Sequence, residues 1–130
     1  MKKLDTRRIL CISDQHMPYH HPDTFKFLAA IKKQYKPTLI INGGDEVDQH
    51  ALSFHDSDSD LPAAGDELVK ATKFIKQLEK MFPTMLLLDS NHGSMVTRKM
   101  KHHGIPMKYL ATSQQIYECP INGSGLMTLR

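Results

Sequence analysis

The sequence predicts an α/β fold: a sheet with a βαβαβ core and flanking helices, forming one domain over residues 1–130. Three observations carry that expectation. Short apolar runs at Arg8-Ile9-Leu10-Cys11-Ile12, Thr38-Leu39-Ile40-Ile41-Asn42 and Met85-Leu86-Leu87-Leu88 read as buried strands. Two stretches of helical apolar spacing separate them. Each run also ends in side chains that can bind a cation or a phosphate, as strands of open α/β sheets do at their carboxyl ends.

The first run stops at Ser13-Asp14-Gln15-His16 and is followed by a loop in which Pro22 suits a first helical turn. From Asp23 to Tyr35, Phe27, Leu28, Ile31 and Tyr35 recur at helical spacing, and Pro37 stops the helix. The second run feeds Gly43-Gly44-Asp45-Glu46-Val47-Asp48, where the glycines permit a sharp turn that presents Asp45. Gln49 to Ala64 is polar and too long for a plain connection, so it reads as a loop over a site. A second helix opens at Asp66 and Glu67, with Leu68, Ala71, Ile75, Leu78 and Phe82 on one face, and Pro83 closes it. The third run leads into Asp89-Ser90-Asn91-His92-Gly93. Ser94 to His103 reads as a basic helix, Met107 to Tyr117 is ambiguous, and the end from Cys119 carries turn residues without a clear element.

Bulk properties exclude several classes. Hydrophobic content of 40% and charged content of 24% are those of ordinary globular proteins. The net charge of +3 permits a phosphate-bearing substrate without demanding nucleic acid. No apolar run approaches the ~20 residues of a membrane span, so a cytoplasmic protein is expected. Cys11 lies inside an apolar run and reads as a reduced core residue.

Together, Asp14-Gln15-His16, then Gly44-Asp45-Glu46-Val47-Asp48, then Asn91-His92 resemble the calcineurin-like metallophosphoesterase superfamily, whose motifs are Asp-x-His, Gly-Asp-x-x-Asp and Gly-Asn-His-Asp/Glu. The resemblance covers roughly residues 8 to 93 and implies the first half of a four-layer αββα sandwich. By the same resemblance, Asp14 and His16 would bind one metal, Asp45 would bridge two, and Asn91 would bind the second. His92 would donate a proton to the leaving oxygen, and Asp48 would orient a ligand. The implied activity is hydrolysis of phosphate esters, by a phosphatase or a phosphodiesterase or nuclease, through a metal-bound hydroxide at a dinuclear site. Two divalent ions are implied, Mn in the first place, with Fe or Zn as alternatives; carboxylate, imidazole and amide donors suit them. The substrate would be a phosphate ester, nucleotide and nucleic acid included. Without a cation, two carboxylates 4 Å apart would repel by about 4 kcal/mol at an effective dielectric of 20.

The chain departs from the family pattern in three places. Ser90 stands where glycine is usual, Gly93 stands where an acid is usual, and the later histidine segments have no counterpart. Only His102 and His103 follow His92. Hence the alternative: a truncated, catalytically incomplete half-domain that binds metal or assembles, with self-association through an uncovered sheet face. His20, His21, His50 and His55 read as solvated loop residues, and Arg98 and Lys99 as a solvated helix face able to attract phosphate. Asp56-Ser57-Asp58-Ser59-Asp60, with Glu67 in the twelfth position, imitates a calcium loop but has Leu61 where Gly is needed. The sequence shows no stripe of interleaved basic and aromatic residues, which argues against tight single-strand binding.

Overall fold

A computed structural model describes residues 8–118; Cys119 and the turn-rich end lie outside the described residues. The fold is mixed α/β, with three parallel strands in the order β1-β2-β3. The elements run β1 (Ile9–Ile12), α1 (Thr24–Tyr35), β2 (Leu39–Asn42), a 3-10 turn (His50–Leu52), α2 (Ala64–Met81), β3 (Leu86–Leu87), α3 (Met95–His102), a second 3-10 turn (Met107–Tyr109) and α4 (Ser113–Ile116). Ile9 pairs with Leu39 and Ile12 with Asn42; Ile41 pairs with Leu86 and Asn42 with Leu87. No helix among the described residues is long and apolar enough to cross a membrane.

Strand alternation sends Leu10, Ile12 and Ile40 to the face covered by helices, where they meet Leu28 of α1 and Ala71, Ile75, Leu78 and Phe82 in and just after α2. α1 ends at Lys36, whose left-handed backbone (φ 46°) lets its N–H reach Lys32 O at 3.0 Å, with Pro37 forbidding another turn. Phe82 is 2% exposed and Leu78 1%, so they carry most of the α2 anchoring. Burying each stabilises by roughly 1.5–3 kcal/mol.

The two helices differ from expectation in which residues they bury. In α1, Phe27 is 63% exposed and Tyr35 53%, while Leu28 is buried with Phe25 packed beside it. One residue of helix is a 100° rotation, so burying Leu28 turns Phe27 outward. In α2, Leu68 is exposed and Glu67 is buried at its expense, because the Glu67 carboxylate accepts from His50 N (2.8 Å) and Ala51 N (3.1 Å). That carboxylate is committed to the loop backbone.

Cys11 corrects the sequence reading more sharply: it is exposed. It shares the second sheet face with Ile9, Leu39, Ile41 and Leu86, none of which joins the core cluster. Apolar strand composition normally signals cover on both faces; among the described residues the helices cover one.

Candidate metal centre

Beyond the sheet, the chain after β1 stays zipped to the chain after β2. Gly43 N donates to Ile12 O (2.8 Å), Asp14 N to Gly44 O (3.1 Å), His16 N to Asp45 O and Met17 N to Glu46 O (both 2.9 Å), and Asp48 N back to Met17 O (3.0 Å). This ladder satisfies the loop backbone while sending alternate side chains outward. Asp14, His16 and Asp45 all adopt left-handed backbone, at φ 56°, 48° and 52°. For residues with a Cβ this costs roughly 1–2 kcal/mol each, and such outliers gather at functional sites.

Their ligand atoms lie within 4.8 Å of one another. A second group, His16, Asp48 and His92, meets the same limit and shares His16. Asp48 Oδ1 lies 2.7 Å from His16 Nδ1 and 3.9 Å from His92 Nδ1. His92 Nδ1 also contacts the Asp48 backbone carbonyl, and the two imidazoles meet edge to face with centroids 4.6 Å apart. A carbonyl only accepts, so the hydrogen sits on His92 Nδ1. The Asp48 carboxylate likewise holds the hydrogen of His16 on Nδ1, which frees Nε2 for a cation.

The turn after β3 closes the site. Ser90 Oγ accepts from Asp45 N and Gly93 N, each at 3.0 Å, and His92 N donates to Asp45 Oδ1 at 3.2 Å. Asn91 therefore sits between two residues bonded to Asp45; it is exposed, and its backbone carbonyl accepts from Arg98 Nη2 at 2.7 Å. Two of the three departures from the motifs the sequence resembles, Ser90 and Gly93, acquire a physical reading. Ser90 has no positive φ, and its hydroxyl fastens two loops. A Cβ at Gly93 would stand 3.0 Å from Ser90 Oγ and 3.9 Å from Glu46 Oε1, so an acid there would crowd a carboxylate already present.

Glu46 is 5% exposed, and its Oε2 has no hydrogen-bond partner among the described residues. Burial pushes its carboxyl above the usual range, and Asp45 and Asp89 add to the rise against the opposing backbone N–H and His92. Gly44, at φ 99°, packs so closely on Ser90 that any Cβ would collide with it. Below the turn, Asn42 is fully buried, donating to Gln15 Oε1 (3.0 Å) and accepting from Gly44 N (3.1 Å). The sequence assigns no role to Gln15, Asn42 or Glu46, and Ser90 stands out in it only as a replacement for glycine. Only Asn42, a polar residue closing an apolar run, carried a signal.

The remaining histidines stay away. His102 and His103 are exposed at the end of α3, and neither joins a metal-competent group among the described residues. His20 is half-buried rather than a free loop side chain: it packs against Phe25 and Phe74, with centroids 5.4 and 4.2 Å away. His50 accepts from Asp58 N at 2.9 Å, which organises the acidic loop, while His55 is exposed. A cavity of about 330 Å³ opens beside the centre, where Met17, Gln49 and Gly93 each follow one of the clustered residues in the chain. Its lining is otherwise mostly apolar and includes Leu52, Val96 and Tyr117.

Compared with family models, curated proteins and solved structures, the chain gave no match. The donor set itself fits a divalent cation. It combines two carboxylates with an imidazole whose Nδ1 is held by Asp48, the usual support of a metal-binding histidine.

Proposed function

We propose that this chain is a metal-dependent hydrolase of phosphate esters, of the calcineurin-like metallophosphoesterase type, built on the first half of that family's αββα sandwich. The observation that carries the reading is the convergence of Asp14, His16 and Asp45, each in left-handed backbone, at the carboxyl ends of two adjacent parallel strands. Three such residues cost about 3–6 kcal/mol together, which a bound cation offsets.

Asp14 and His16 would hold one ion, Asp45 both, and Asn91 the second, with Mn favoured over Fe or Zn. When bound, such ions supply positive charge to the phosphoryl oxygens and lower the pKa of a water. The chain's own residues do the rest. Asp48 keeps His16 in its ligating tautomer. The Asp48 carbonyl fixes the Nδ1 hydrogen of His92, so protonated His92 gives its Nε2 proton to the departing oxygen. Ser90 and the His92 N–H hold Asp45 in place from the third strand's turn.

The test is turnover of aryl phosphate mono- and diesters with Mn²⁺, comparing the protein with Asp45→Asn. The reading requires the wild type to exceed the variant by orders of magnitude; equal background rates refute it. A second reading, a half-domain acting by assembly, is favoured by the open apolar sheet face bearing Ile9 and Cys11. Sedimentation that finds a monomer at every concentration counts against that alternative.

A further inference from the structure

Charge is segregated along this chain. Positions 45–67 hold eight carboxylates (Asp45, Glu46, Asp48, Asp56, Asp58, Asp60, Asp66, Glu67) and no Lys or Arg. Positions 90–117 hold Arg98, Lys99, Lys101 and Lys108 and no carboxylate. The fold brings one aromatic residue from the acidic segment onto the basic one. Phe54, 49% exposed, lies with Lys99 Nζ 4.3 Å and Arg98 Cζ 5.9 Å from its ring centroid, and the His102 ring meets its edge at 5.5 Å. A second exposed ring, Tyr109 at 71%, stands under Lys108 Nζ at 5.5 Å, on a 3-10 turn that packs against α3. Arg98 also reaches back to Asn91 O at 2.7 Å, so this surface begins at the turn that carries His92.

From these juxtapositions we infer that α3, Phe54 and the turn at Tyr109 form a binding surface for single-stranded nucleic acid leading into the candidate metal centre. Cations alone would attract any polyanion. Exposed rings interleaved with them supply flat faces on which unpaired bases stack, and every base has such a face. Arg98, Lys99, Lys101 and Lys108 take the phosphates, and Phe54 and Tyr109 take bases. Asp56, Asp58 and Asp60 follow Phe54 in the chain, are exposed, and repel phosphate there. The surface itself stands on its own geometry. That its strand is the substrate rests on the hydrolase reading above.

The experiment is fluorescence anisotropy of a labelled single-stranded oligonucleotide with the full chain in EDTA, over 50–200 mM salt, so that binding is read without metal or turnover. Four phosphate contacts on a single strand predict a slope of about −2.8 in log K against log salt. The double variant Lys99→Glu with Lys101→Glu is expected to weaken binding at least tenfold with an unchanged circular dichroism spectrum. Phe54→Ala is expected to weaken it at least about fivefold, the low end for one stacked base. Neutralising Asp56, Asp58 and Asp60 as asparagines is expected to tighten it. Salt-insensitive binding, no effect of the lysine substitutions, a preference for duplex, or equal affinity for anionic lipid vesicles would overturn the inference. Turnover of aryl mono- and diesters with Mn²⁺, measured in parallel, separates the two proposals. Strand binding without turnover leaves this surface standing and removes the hydrolase, and turnover without strand binding does the reverse.

Discussion

Asp14, His16 and Asp45 share a left-handed backbone that none of them favours, and the ladder between the two loops holds them in it. Gly44 is the hinge of that arrangement. With φ at 99° and no room for a Cβ against Ser90, Gly44→Ala is expected to destabilise the fold by roughly 1–3 kcal/mol, read as a lower denaturant midpoint. An unchanged midpoint would mean that the turn can relax away from Ser90. His92 makes a more chemical claim. A proton donor matters most when the leaving group is a poor one, so His92→Gln should slow hydrolysis of an alkyl phosphate ester by about 10²–10⁴-fold. It should slow a p-nitrophenyl ester far less, because that leaving oxygen needs no proton. Equal losses on both esters would assign His92 to binding rather than proton donation.

At the scale of elements, His20 ties the loop after β1 to α1 and α2 by packing on Phe25 and Phe74. Burial lowers its pKa, opposed by the Pro18 carbonyl, so the folded state favours the neutral ring. The stability this contributes is complete above the unfolded value of about 6.5 and is lost as pH falls through the lower folded value. Stability measured from pH 7.5 down to 5 should therefore fall less steeply in His20→Leu than in the wild type; parallel curves would show that His20 charges freely in the fold. The three strands and first three helices were legible because apolar runs and helical spacing are local signals. Their buried faces were legible only in part. Leu68 yielded to Glu67 because two loop N–H groups needed an acceptor, a demand invisible until the loop lies over the helix. Cys11 read as core because both faces of its run are apolar, and composition does not tell which face the helices cover.

For the whole molecule, the sequence motifs named the residues after each strand, and the fold brings Asp14, His16 and Asp45 within reach of one another. What could not be read was the support around them. Gln15, Ser90 and Glu46 take their meaning from partners in other loops: Asn42 on β2, the Asp45 and Gly93 N–H groups, and the space beside Gly93. The pairing of Phe54 with α3 was likewise hidden, since the ring and the cations come from distant and oppositely charged segments. Acidic groups collect around the candidate centre, and Arg98 reaches the turn beside it.

The proposal that Asp14, His16 and Asp45 together hold a divalent cation is tested most directly by titrating Mn²⁺ into the metal-free protein and into Asp45→Asn by calorimetry. Saturable binding to the wild type, weakened at least about tenfold in the folded variant, is the expected result, since the substitution removes a charged donor outright. No saturable binding to the wild type, or identical binding by both proteins, would contradict it.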